Sequence, residues 1–261
     1  RPPPSSRRMP YTTLCRSSGI PGETPVTPGS TSLGDYMSGM YGAIGILMAL
    51  RHRDATGEGQ MVDMALYESV FRALDEIVPR YAKDGFVREP EGTGTVNACP
   101  HGHFPTGDGK FLSIACTTDK MFERLTQSMV RPDLWENFGD QQTRLAARVT
   151  VIDEVTQWTT SMSRDEVMAA CVAAEVPSGP INSIADIFAD PHFRARDDLL
   201  AVNVPRIGEV TVPGVYPKLS ATPGSVDSLG PELGNANEEV YGGQLGLSHD
   251  DMGALKHKGV V

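Results

Sequence analysis

His101 and His103 flank Gly102. In an extended chain, residues two apart point to one side, so this pair is the smallest arrangement that could hold a metal ion. A catalytic zinc site takes three protein ligands, and no nearby cysteine or carboxylate completes the set, so the pattern reads as loop histidines beside a ligand and no metal is expected. Gly92-Thr93-Gly94 and Gly107-Asp108-Gly109 miss both the Walker and the dinucleotide spacings and read as turn glycines. Cys15, Cys99, Cys116 and Cys171 are widely spaced, form no C-x-x-C and lack a local histidine or basic partner, so each reads as a small buried hydrophobe. No G-x-S-x-G elbow supports a serine hydrolase. Spacing alone thus supports a mixed α/β protein without a recognisable nucleophile.

The elements that would position this chemistry begin with a helix of small residues. From Asp35 to Arg53, Gly39, Gly42, Ala43, Gly45 and Ala49 recur at intervals of three or four, which costs helix propensity unless another group approaches closely. Asp35 is placed to cap the start, and Arg51 and Arg53 lie at the opposite dipole end. The alternatives are packing of a buried helix and direct ligand contact. The apolar run between Asp35 and Arg51 is too short for a bilayer span, which takes about 20 residues. Turn residues at Thr56–Gln60, an alternating strand from Met61 and a helix from Tyr67 complete a helix-turn-strand-helix unit over 31–83.

A polar, Gly-containing connection from Asp84 to Gly94 marks a boundary, and residues 84–180 form a second, smaller body. In it, the stretch 99–110 joins extended pieces through a Gly-Asp-Gly turn, and Phe111–Cys116 reads as a buried strand. Helices follow from Lys120, over Arg144–Met162 and over Arg164–Ala174, with Asp119 and Ser163 as caps. Val176 to His192 is a Pro-rich extended piece, an N-cap at Asn182 or Ser183, and a short helix stopped near Pro191. Residues 181–261 continue with a small hairpin, Leu199–Val204 with Glu209–Val212, and helices over Glu238–Leu245 and His249–Lys256. Residues 1–30 are irregular: from Arg1 to Ser18 there is no acidic residue and no apolar period.

The chain has 261 residues, 39% of them hydrophobic, and a formal charge of −10, which disfavours nucleic acid or an anionic membrane as principal partner and leaves small metabolites. The cysteine usage and the lack of a secretory leader point to a cytoplasmic protein.

Several motifs, in order, resemble the class III CoA-transferases, which include formyl-CoA and carnitine CoA-transferases and share their fold with α-methylacyl-CoA racemases. They are Gly34-Asp35 with Gly45-Ile-Leu-Met-Ala-Leu, Thr56-Gly-Glu-Gly-Gln60 with Val62-Asp-Met-Ala-Leu, Pro100-His-Gly-His-Phe-Pro-Thr-Gly-Asp-Gly, Val176-Pro-Ser-Gly-Pro-Ile-Asn, Asp190-Pro-His, Lys218-Leu-Ser with Thr222-Pro-Gly, and Leu233-Gly. The resemblance covers about Gly19 to Val261. It implies an α/β fold with part of a Rossmann-like large domain, a smaller α+β domain, and an interlocked homodimer. It implies no permanently bound cofactor, with coenzyme A and acyl-CoA as substrates and a small carboxylic acid as the other partner. It further implies that Gly102 and His103 lie by the active site, with the Gly102 N–H as a donor to thioester or anhydride oxygens. Met40 matches a position near the CoA site, with core packing as its alternative.

In the family an aspartate attacks the thioester and forms an acyl anhydride, which splits one hard exchange into easier ones. The resemblance places that residue upstream of Gly19, where this sequence reads Arg1-Pro-Pro-Pro-Ser5. The catalytic aspartate is therefore expected to be missing, the beginning being altered by truncation, a frame error or a damaged gene. The competing readings are an acyl-CoA racemase of the same fold and an inactive or non-catalytic fragment with an exposed apolar face. The lack of an acid between Gly94 and Pro100 favours transfer over racemisation.

Overall fold

A computed structural model describes residues 19–23, 26, 32–205 and 207–260. Cys15 and most of the irregular N-terminal stretch lie outside the described residues. The chain divides into two compact units, Arg1–Ile181 and Asn182–Val261.

The first unit opens on helix α1, Leu33–Thr56, which stops at Gly57, where a φ of 80° needs a residue without a side chain. Asp35 lies in the first turn, near the positive dipole end, but the cap position belongs to Ser32 and no side chain bonds to the free N–H groups there. Helices α2, Leu66–Arg72, and α3, Ile77–Asp84, follow. The glycines of α1 make room for side chains of the next segment. A β-carbon at Gly42 would lie 3.2 Å from Met64 Cε, one at Gly45 3.2 Å from Val62 Cγ1, and one at Gly34 3.5 Å from Val70 Cγ2. Below them the Ser38 and Ser69 hydroxyls meet at 2.9 Å.

The strand expected from Met61 is not formed. Residues 57–65 are irregular and join no sheet. The alternation is nonetheless genuine: Val62 and Met64 turn onto α1, while Met61 is 87% exposed. A strand also needs a neighbouring backbone for its N–H and C=O groups, and a helix cannot supply one.

Next comes the hairpin of β1, His101–Pro105, and β2, Phe111–Ala115. It is followed by α4 (Asp119–Ser128), α5 (Pro132–Phe138), α6 (Gln141–Ala146), α7 (Arg148–Thr160), α8 (Arg164–Ala173) and β3, Ser178–Ile181. The strands form one antiparallel sheet in the order β1-β2-β3. Phe104, Leu112 and Ile114 on one sheet face pack into a core with Phe122, Leu125, Val151, Val155 and Val167 of the helices. Three local expectations change here. Thr118, not Asp119, caps α4 by accepting from the Met121 N–H. The helix expected over 144–162 is broken at Ala147, which has φ −101° and ψ 25°. Helix α5, begun by Pro132 at its first turn, is additional. Ser163 caps α8 as expected, its hydroxyl accepting from the Glu166 N–H while the Glu166 carboxylate takes the Ser163 N–H.

The second unit holds α9, Ile184–Ala189, capped by Ser183, and α10, Pro191–Ala195, capped by Asp190. The antiparallel hairpin β4–β5 spans Leu199–Val204 and Gly208–Pro213. A π-helical segment, Glu238–Gln244, precedes α11, His249–His257, and a half-open cleft of about 800 Å³ lies along them. Fold class is thus mixed helix and sheet, and every strand pair among the described residues is antiparallel.

Candidate active site

Pro100 to Pro105 carries the candidate chemistry, and its strand register decides what each group can do. The Cys116 N–H donates to the Pro100 carbonyl at 2.9 Å, and the Thr106 N–H to the Lys110 carbonyl at 2.9 Å. Hydrogen-bonded and non-hydrogen-bonded pairs alternate along an antiparallel ladder, so Gly102/Ile114 and Phe104/Leu112 are the pairs that exchange bonds. His101/Ala115 and His103/Ser113 are the closer, non-hydrogen-bonded pairs.

Three consequences follow. The Gly102 N–H is directed across the ladder, so it is not free to donate to a ligand as expected. The space beside its Cα is taken by Thr93, whose Oγ1 would lie 3.0 Å from a β-carbon there. The His103 N–H donates to that same Thr93 hydroxyl oxygen at 2.9 Å, which fixes the outer edge of β1. The two imidazoles share the sheet face opposite Phe104, with His103 exposed and His101 half-buried. His101 Nδ1 is closed off from solvent and has no hydrogen-bond partner among the described residues. No group of three or more His, Cys, Asp or Glu among the described residues could hold a metal ion.

The segment leading into β1 is held by a buried arginine. Arg144 has no exposed surface. Its Nε donates to the Cys99 carbonyl at 2.8 Å, Nη1 to the carbonyls of Phe138 (3.0 Å) and Gly139 (2.6 Å), and Nη2 to Asp119 Oδ1 at 2.6 Å. Its guanidinium also lies 4.7 Å from the centroid of the Phe122 ring. One planar, permanently charged group therefore ties together the residue before Pro100, the end of α5 and the start of α4. Sequence reasoning places Arg144 at a helix start and gives no sign of this role.

The far end of the hairpin is fixed by Asp108. Its carboxylate accepts from the Thr106 hydroxyl at 2.6 Å and from the Arg164 N–H at 3.2 Å, joining the turn to the start of α8. The Thr106 hydroxyl first, then the Arg164 and Lys110 N–H groups, hold the Asp108 carboxyl below its ordinary range. Gly107 donates its N–H to the Met162 carbonyl at 2.7 Å, and a β-carbon there would lie 2.7 Å from the Thr160 carbonyl. Cys99, Cys116 and Cys171 are buried, and desolvation pushes their thiols up, Cys116 to about 12, which is the state of inert core cysteines.

Met40 lies on α1 and is 60% exposed. It belongs to a stripe with Tyr36, Ile44, Leu47 and Met48, all exposed. Gly102 and His103 are adjacent on β1. His101, read with His103 as a loop histidine beside a ligand, shares the sheet face of His103, as does Ser113, which the alternation of Phe111–Cys116 could have placed there.

The fold is shared with solved structures. One is a CaiB/BaiF family protein from Brucella suis, 28% identical, with a TM-score of 0.71 over 87% of this chain and 59% of that one. At the level of fold alone, Rv3272 of M. tuberculosis matches with a TM-score of 0.67 and 20% identity, over 80% of this chain and 56% of that one.

The family model described as CoA-transferase family III matches residues 9–237, and the chain belongs to that family. The succinyl-CoA–L-malate CoA-transferase alpha subunit of Chloroflexus aurantiacus is 52% identical over 253 residues, 96% of this chain and 59% of the relative. The succinyl-CoA–D-citramalate CoA-transferase of the same organism is 36% identical, over 93% of this chain and 61% of that protein. The chain thus spans about three-fifths of the length of these curated relatives.

Proposed function

We propose that this chain is the acyl-binding portion of an enzyme that moves coenzyme A from an acyl-CoA thioester to a small dicarboxylic acid. The observation that carries the reading is the 52% identity over nearly the whole chain to a succinyl-CoA–L-malate CoA-transferase subunit. The exposed imidazole of His103 supports it, because an imidazole beside a glycine can donate to a carboxylate or a thioester oxygen.

In this reading Met40 lies beside the CoA, and Gly102 and His103 lie by the acyl group. The reaction runs through an acyl-aspartyl anhydride: the aspartate oxygen bonds to the thioester carbonyl carbon, the C–S bond breaks, and CoA leaves as its thiolate. CoA thiolate then attacks the aspartyl carbonyl and expels the donor acid, leaving an aspartyl thioester; the acceptor carboxylate displaces CoA thiolate from it to form a second anhydride, and CoA thiolate opens that anhydride at the acceptor's carbonyl, giving the new acyl-CoA and the free aspartate. None of Met40, Gly102 and His103 is that nucleophile. The small domain over 84–180, the Rossmann-like large domain, the interlocked homodimer and the cytoplasmic location belong to the same proposal. No helix among the described residues is long and apolar enough to cross a membrane.

The test mixes the purified chain with succinyl-CoA and L-malate and follows malyl-CoA by mass spectrometry, with hydroxylamine trapping of any enzyme-bound acyl group. Malyl-CoA and a hydroxamate would show that this chain also carries an attacking carboxylate, against the expectation from Arg1-Pro-Pro-Pro-Ser5. Their absence at protein concentrations comparable to substrate would refute catalysis by this chain and favour the non-catalytic reading.

A further inference from the structure

The outer face of the β1-β2-β3 sheet carries a recess with unusual composition. His103 stands opposite Ser113 and His101 opposite Ala115, both in the closer kind of cross-strand pair. On the third strand Gly179 lies beside Ser113, and the space a side chain there would fill is open. Two imidazoles and a hydroxyl therefore surround a floor made of the two smallest side chains on that face, Ala115 and Gly179. None of the residues of the three strands is acidic, so a bound anion meets no competing charge on this sheet. His101 Nδ1, closed off from solvent, is a polar atom whose hydrogen bonding the described residues leave unmet. Phe111, further along β2 and half exposed, gives an apolar flank suited to methylene groups.

We infer that His101, His103 and Ser113 bind the carboxylate of a dicarboxylic acid that does not react, and so set a preference for dicarboxylic over monocarboxylic acids. The inference rests on the CoA-transfer reading for its biological meaning, although the binding itself can be tested without catalysis. A free acid and the succinyl arm of an acyl-CoA carry the same terminal carboxylate, and both are candidates for the recess. Succinate and butyrate differ only in that one terminal group, which makes them the decisive pair.

The chain has six histidines, few enough to resolve by the imidazole Cε1–H resonances in NMR, with His101→Gln and His103→Gln giving the assignments. Titrating the full chain with succinate or L-malate is expected to move His101 and His103 and to leave the other four in place, while butyrate moves none. The acyl-CoA arm compares succinyl-CoA with butyryl-CoA, and whichever dicarboxylate source shifts the pair identifies the occupant. His101→Gln and His103→Gln should each weaken succinate binding roughly tenfold, the loss of one hydrogen bond to a charged group, and Ser113→Ala about threefold. Equal shifts with butyrate, no shift with any dicarboxylate, or variants that bind like the parent would overturn the inference. Should His101→Gln fail to fold by near-ultraviolet circular dichroism, His103→Gln and Ser113→Ala at the exposed end of the recess decide. Histidine shifts without malyl-CoA formation would leave the site standing and count against catalysis by this chain; malyl-CoA without shifts would do the opposite.

Discussion

Replacing Arg144 with methionine keeps most of the apolar volume and removes every donor. The Cys99 carbonyl, in a residue with no exposed surface, loses its charged partner, while Phe138 and Gly139 are half-buried and can recruit water. With a buried charge-assisted bond at about 2 kcal/mol and two partly rehydrated carbonyls at about 1 kcal/mol each, the expected loss is about 4 kcal/mol, within the range for breaking a buried pair. The contact with the Phe122 ring lies on the same side of the balance. For a urea slope of about 2 kcal/mol per molar, the midpoint should fall by about 2 M with the slope unchanged. Arg144→Lys should fall roughly half as far, because one ammonium cannot span acceptors on three elements. Asp119→Asn is the control: its side chain is 53% exposed, so the loss should stay under about 1 kcal/mol. A midpoint for Arg144→Met within about 0.5 M of the parent would refute the view that this arginine holds the segment entering β1.

At the turn of the hairpin, Gly107→Ala places a methyl 2.7 Å from the Thr160 carbonyl and should lower stability by about 1–3 kcal/mol, read as a lower melting temperature. Because the folded Asp108 carboxyl sits below 3.8, its contribution is fully present above that value and is lost as pH falls through the lower folded value. Asp108→Asn should therefore flatten the acid limb of the stability-against-pH curve below about pH 4, and an unchanged limb would count against the assignment. Cys99, Cys116 and Cys171 should resist iodoacetamide at pH 8 in the folded chain and react in urea; peptide mass spectrometry showing native labelling of Cys116 would contradict its burial. Val130, a β-branched residue at φ 55° and 82% exposed, should gain about 1 kcal/mol on replacement by glycine, checked by urea denaturation.

What the sequence made legible follows a physical divide between local and distant determinants. Ser163 announces its helix because the cap, the reciprocal glutamate and the helix start lie within four residues. The β1–β2 hairpin is readable for the same reason, its turn glycines and alternation being contiguous. Arg144 is opaque because its acceptors come from Cys99, Asp119, Phe138 and Gly139, and no pattern around position 144 encodes that meeting. The segment at Met61 misled for a related reason: alternation records which side chains face a surface, and here the surface is the glycine-bearing side of α1 rather than a sheet core.

The same distinction explains why the site was only partly visible. Gly102 and His103 come from one short motif, but the residues in line with His103 are Ser113 and Gly179, supplied by strands 10 and more residues away through the register His103↔Ser113 and Ser113↔Gly179. A one-residue slip in either pairing would send Ser113 to the core face and bring Leu112 or Ile114 out beside the histidines, replacing a polar recess with an apolar one. The register is fixed from outside the recess, by Arg144 at the Cys99 carbonyl and by Asp108 and Gly107 at the turn. Loosening either anchor should therefore weaken dicarboxylate binding without touching a group in the recess, and Arg144→Lys, which retains the charge, is the variant in which that coupling should be seen at a stability still sufficient for folding.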